Sequence, residues 1–458
     1  MLLVNSLLPT ALLQILQDTI CVETSNRNHA PGPTRTSYNP CHSPLVHEEL
    51  VLVHKTYQLL PVLGSIFCTV PYAFLADRKS IGRQRVLVLS AIGTSLALAW
   101  TLAVCYWRFA PVRSVWLSAL FLLLGGGDSV FLCLVHVITI DVARQNELSK
   151  ISLYFHAADV VAGFVGPALG SIMMQAVNAW AVLLLALILT LGRVALTRMI
   201  PETLGLRDDS AGIPTHSLFR YFPREKDIHD DPLTLPQRIS ILSKLKEAIS
   251  SLFTIPPQAT LLLLLSLIQT SATHLFPTVG LRYTSARFSL SYTSTLKLLR
   301  FSQGAQAVFV LVVLPGLMQL ATTTFPWSAW ARDRCFAIES IALTALGTIL
   351  IGVAPSVNFE AGGLVLLAMG RCAGAFLFSL LQGAIGGRGS SSVSVVYGLA
   401  VTGGVVGRWG VGFVADVLLR KGVNYGGGWI GLPFWVVGGV MGVGFWGSLY
   451  IERKKDGN

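Results

Sequence analysis

Twelve stretches of about twenty apolar residues follow one another along this chain, and they leave it few ways to fold. They are 2–20, 51–75, 86–107, 114–140, 151–176, 179–199, 257–276, 297–320, 335–354, 360–386, 392–418 and 428–451. A bilayer core about 30 Å thick takes roughly 20 residues of helix, and hydrocarbon offers no partner for backbone polar groups. Such stretches therefore cross a membrane as helices. The least apolar are the first, which carries Asn5, Pro9, Gln14, Gln17 and Asp18, and the eighth, which Lys297 and Arg300 enter. The rest of the composition fits. Of 458 residues only 12% are charged, about half the usual fraction, too few to clothe a soluble fold of this size. A soluble globular protein, a disordered chain and a nucleic-acid binder are excluded together.

A secretory signal would need a basic segment before its apolar run, and the first Lys or Arg here is Arg27. The first stretch is therefore read as a span. Met1 abuts it directly, so a cytosolic tail is expected to be missing from the chain as written. With the N-terminus inside, Lys and Arg on the cytosolic side outnumber those outside two to one, which predicts that both termini and the central gap are cytosolic. The layout divides the chain into 1–200 with six spans, a cytosolic stretch 201–256, and 257–458 with six more. Within that stretch Ile239, Leu242, Leu245, Ile249 and Phe253 recur at helical spacing, with Arg238, Lys244 and Lys246 on another face. That pattern suits a basic amphipathic helix lying on the inner surface, and equally a soluble linker helix. Cys21 and Cys41 fall in the first outer loop and could form a disulfide; the other five cysteines lie in or beside spans as small apolar fillers.

Between spans 2 and 3 the chain reads Pro71-Tyr-Ala-Phe-Leu-Ala-Asp77-Arg78-Lys-Ser-Ile-Gly82-Arg83-Gln-Arg85. This resembles the loop motif of the major facilitator superfamily, Asp-Arg, one residue, then Gly-Arg-Arg or Gly-Arg-Lys. Ala73 stands where the family has its first Gly, and Lys79-Ser80 is a two-residue insertion. Gly163-Phe-Val-Gly166-Pro167-Ala-Leu-Gly170 in span 5 resembles the tail of a Gly-Pro motif of antiporter members, where small residues permit close helix packing. Pro201-Glu202-Thr203 after span 6, Gly125-Gly126-Gly127 in span 4 and Gly431-Leu-Pro-Phe434 entering span 12 resemble fungal members. The resemblance implies an all-α membrane protein of twelve helices in two pseudo-symmetric six-helix halves, working by alternating access. In it, Asp77, Arg78, Gly82 and Arg83 form a gating loop on the cytosolic side.

The resemblance also assigns spans 1, 4, 7 and 10 to a central cavity, with 2, 5, 8 and 11 beside them. Charges inside spans are costly and usually face such a cavity. Asp128 lies midway along span 4, and Arg371 midway along span 10, its partner by pseudo-symmetry. Asp159 and His156 share a face of span 5, Arg408 sits in span 11, and His136 is deep in span 4. Asp128 facing Arg371 is the expected coupling pair, with Asp159 and His156 as an alternative relay. Arg193, near the inner end of peripheral span 6, reads as a snorkelling anchor. No phosphate loop, metal cluster or nucleophile elbow is present, so no enzyme, cofactor or metal is expected. The expected function is secondary active transport of a small organic molecule, proton-coupled and favouring efflux, by a monomer in the plasma membrane or the vacuolar membrane. An uncoupled facilitator and a transporter-like sensor or scaffold are the alternatives.

Overall fold

The computed structural model describes residues 1–27, 44–78, 81–143, 147–203, 256–290, 292–325, 327–385 and 393–451. The amphipathic stretch 236–253 and Cys41 lie outside the described residues. Among the described residues twelve helices follow in order: α1 Leu2–Arg27, α2 Pro44–Ala76, α3 Arg83–Trp107, α4 Val112–Val142, α5 Leu148–Ala176 and α6 Ala179–Arg198 form the first half. The second half contains α7 Pro257–Phe288, α8 Ser294–Thr324, α9 Ala329–Val353, α10 Val357–Ile385, α11 Val393–Tyr425 and α12 Gly427–Leu449.

Eleven of these are long and apolar enough to cross a membrane, and α1 is the exception. Its buried stripe of Val4, Leu7, Ala11 and Ile15 packs on α5 and α6, while Asn5, Thr10, Gln14 and Asp18 stay exposed. A polar face at membrane depth belongs to water, not lipid, so the low hydropathy of α1 marks a helix beside a cavity.

Two helices run further than expected. α7 continues twelve residues past 276, because Tyr283 and Thr284 are buried there: Tyr283 donates to the Ile351 carbonyl at 2.5 Å and Thr284 to Glu360 at 2.6 Å. α11 continues to Tyr425. Arg282 and Arg420, expected in outer loops, therefore sit on helices, where both pair with Asp416. Proline explains two irregular turns. Pro277 lies within a π-helical turn, Phe276–Gly280, and Pro315 follows another, Phe309–Val313. The wider turn relieves the missing N–H and the ring clash.

The same helix pairs recur in both halves. α1 packs on α5 and α6, α3 on α4 and α6, and α2 on α4; α7 packs on α11 and α12, α9 on α10 and α12, and α8 on α10. The contacts between halves obey the same symmetry. α2 and the C-terminal part of α4 meet α11, while α8 and the C-terminal part of α10 meet α5.

Candidate functional site

The Asp77 loop closes one end of the molecule. Arg83, 1% exposed, donates to Asp77 Oδ1 at 2.8 Å and pairs with Asp141 of α4. Arg78 lies over the Phe74 ring instead, 5.3 Å from its centroid, outside this ion-pair network. Glu202 accepts from the backbone N–H groups of Arg83 and Gln84, each at 3.1 Å, and so caps the start of α3. Gly82, at φ 80°, makes room for it: a Cβ there would lie 2.2 Å from Glu202 Oε2. Thr203 donates to Asp141 at 3.0 Å, so the Pro201-Glu202-Thr203 segment is part of the loop's structure. Burial pushes the Asp77 carboxyl up from its usual range, while Arg83 and Ser394 pull it back.

This network crosses to the other half. Ser394, in the first turn of α11, donates to Asp77 at 2.6 Å. A second bond crosses at the symmetry-related place: Arg332 of α9 donates to Ser149, in the first turn of α5, at 2.9 Å. Arg332 is held by Asp333, which accepts from Ser379 of α10 at 2.7 Å. Gly398 supports the closure by bringing α11 onto α2, where an added Cβ would be 3.2 Å from Ala73. Beside these bonds lies an aromatic layer. His136 stacks on Phe378 with centroids 4.8 Å apart, Phe378 on Tyr397 at 5.7 Å, and Phe155 meets His136 edge-on. His136 therefore serves as part of this packed floor.

Above the floor, α5, α7, α10 and α11 bring together Asp159, His156, Arg371, Arg408 and His274. Asp159 and Arg408 are exposed near the middle of their helices, and charged groups at that depth face a water-filled cavity. Arg371 sits where α10 breaks, and donates to Gln306 at 2.6 Å and to the Thr273 carbonyl at 2.9 Å. Its charge acts on Asp159, His156 and His274; that of Arg408 acts on Asp159 and His274. Among the described residues no ion pair within 4.0 Å involves Asp159 or Arg408, and buried His156 Nε2 has no hydrogen-bond partner. His274 escaped the sequence reading, although a histidine inside the apolar run 257–276 was itself the signal.

Asp128 lies elsewhere. Glycines 125, 126 and 127, at φ 82°, 75° and 65°, break α4, and Asp128 opens the segment that follows. Tyr72 donates to the Leu123 carbonyl and Ser90 to that of Gly127, satisfying acceptors at the break. Asp128 accepts from Arg193 at 3.0 Å and from Asn5 at 3.1 Å. Arg193 also bonds Thr94 and lies 4.7 Å from the Phe131 ring centroid. Arg193 is thus buried and inward, which corrects its reading as a snorkelling anchor. The packing of α6 on α3 turns that face inward, and hydropathy alone does not say which face a peripheral helix buries. Among the described residues no ion pair joins Asp128 to Arg371; each is held within its own half.

The glycines of α5 divide similarly. A Cβ at Gly166 would lie 2.0 Å from Ser6 Oγ, and one at Gly170 would touch Leu7 at 3.6 Å, so both admit α1; Pro167 sits between them in the helix. Gly163 has nothing within 4 Å and takes no part in that packing. Cys21 is buried in the C-terminal part of α1, and its expected partner Cys41 lies outside the described residues.

Two six-helix halves with matching internal pairings, joined at one end beneath a charged cavity, make up a multi-pass membrane carrier. A sequence profile of the Major Facilitator Superfamily matches residues 56–409, and the chain belongs to that family. It is a membrane transporter and not an enzyme. It is 27% identical over 383 residues to the MFS efflux pump atnC of Emericella nidulans, covering 82% of this chain and 70% of that protein. It is 24% identical over 348 residues to the MFS-type transporter avaK of Aspergillus versicolor, covering 75% and 72%. In fold it resembles the E. coli fucose:proton symporter FucP (TM-score 0.60, 10% identity, 99% and 98% covered). It also resembles the human organic anion transporter MFSD10 (TM-score 0.58, 17% identity, 98% and 99% covered).

Proposed function

We propose that this transporter is a proton-coupled exporter of a small organic molecule, working as a monomer in the plasma membrane by alternating access. The supporting observation is Asp159, a carboxylate exposed in the cavity without an ion-pair partner among the described residues and set beside His156 and two arginines. A coupling group must meet water, and its proton affinity must respond to what binds near it. Asp159 meets both requirements, whereas Asp128 already has Arg193 and Asn5. The name of atnC, an efflux pump, supports the direction. On the two-to-one charge bias the latched end is cytosolic, so the described state is open outward. Labelling of cysteines introduced at Ser210 and Asn458 should place both on the cytosolic side; finding either outside overturns that orientation.

The functional test compares metabolites in cells with and without the full chain, before and after a protonophore collapses the pH gradient. Export of at least one metabolite should require the wild-type chain and the gradient. Asp159→Asn should reach the membrane normally yet export at least about tenfold more slowly, a barrier change of about 1.4 kcal/mol. Export by Asp159→Asn that keeps its full rate and its protonophore sensitivity would remove Asp159 from coupling. Export indifferent to the protonophore in the wild type would remove the proton.

A further inference from the structure

We propose that the cargo of this cavity is an organic anion, a small molecule carrying a carboxylate or an equivalent acidic group, and that Arg408 is its primary contact. The inference rests on the transport reading above and names the cargo class of the same site. The charged groups gathered at this site are Arg371 on α10, Arg408 on α11 and Asp159 on α5, with His156 and His274 beside them. With both histidines neutral, one positive charge is left uncompensated. The two guanidiniums are in different situations. Arg371 is tied to Gln306 and to the Thr273 carbonyl, which hold it in place. Arg408 is exposed and makes no hydrogen bond or ion pair with any described residue. A guanidinium held at mid-membrane in a water-filled cavity, with no protein partner, marks a substrate pathway. A carboxylate fits its fork with two parallel hydrogen bonds, whereas a cation would meet net repulsion. His156 Nε2, buried and unpartnered, adds a polar contact on the opposite wall. Asp159 is the competitor. Its charge acts on both arginines from beyond ion-pair distance, so it weakens their hold on an anion without neutralising them.

The probes are two dyes on one xanthene ring: fluorescein, an anion with a free carboxylate, and rhodamine 123, a cation whose carboxylate is esterified. Binding to the full chain in lipid nanodiscs is read by dye anisotropy. Fluorescein should bind and rhodamine 123 should not. Arg408→Gln should weaken fluorescein binding about tenfold or more, and Arg408→Lys should restore part of it. Asp159→Asn should tighten fluorescein binding several-fold, a gain that a misfolded variant does not produce. Rhodamine 123 binding as tightly as fluorescein, fluorescein binding indifferent to Arg408→Gln, or no fluorescein binding to the wild type would each overturn the proposal. Fluorescein bound at Arg408 by a chain that exports nothing would instead overturn the transport reading and leave this one standing.

Discussion

Removing one member of an ion pair held at membrane depth costs more than the pair contributes, because the remaining charge loses its partner and keeps its desolvation. Arg193 and Asp128 are such a pair, with one difference between the partners: the Arg193 side chain is 8% exposed and that of Asp128 36%. Water reaches Asp128, so the full cost of a buried orphan is discounted. We expect Arg193→Leu to destabilise the purified protein by about 1–2 kcal/mol, and the double variant with Asp128→Asn to recover most of that. Thermal unfolding in detergent measures both, and a double variant no better than the single one would show that the Thr94 and Phe131 contacts matter more. At this scale much of the site was legible. A charge inside an apolar run flags itself, and Asp159, His156, Arg371 and Arg408 were picked out that way; Asp128, picked out with them, lies apart with Arg193 and Asn5. Their partners were not legible. Asp128 and Arg193 are 65 residues apart, and only the rotation of α6 decides that they meet.

Helices record their neighbours in their small residues. Gly125 has φ 82°, and a Cβ there would lie 2.4 Å from the Ser90 backbone nitrogen. Strain and backbone collision act together, so Gly125→Ala should cost about 3 kcal/mol or more and sharply reduce the folded yield. Gly163, with open space around it, should accept alanine with a change of no more than about 1 kcal/mol, in the stabilising direction, since alanine favours helix. Equal melting temperatures for the two variants would refute this account of the α4 break. The sequence showed that glycines cluster in spans 4 and 5 but not which of them are in contact. That depends on close approach between helices, which composition does not encode. Helix lengths were underestimated where polar residues are buried: Tyr283 and Thr284 look like loop residues until α9 and α10 supply the Ile351 carbonyl and Glu360.

The whole molecule is organised by its pseudo-symmetry, and the bonds closing one end obey it. α3 carries Arg83 and α9 carries Arg332, each beside an aspartate, and each assembly reaches the first turn of a helix in the opposite half. The Asp77 side was visible as a motif. The Arg332 side was not, because it sits inside α9 rather than in a recognisable loop. Asp77→Asn removes a charge-assisted hydrogen bond, a class worth about 1.5–3 kcal/mol, and so should raise the population open at that end. Cys133 reports it: it is fully buried, with its Sγ 3.6 Å from the Ser394 carbonyl. In a background lacking the other free cysteines, its labelling by a maleimide should speed up about tenfold in Asp77→Asn, and an unchanged rate would show that the loop does not hold this end shut. Having two such bonds also bears on leakage. A cell loses its gradient through a carrier that opens at both ends, even briefly. Because the two bonds sit on separate helix pairs, a fluctuation that breaks either one leaves the other still fastening the halves.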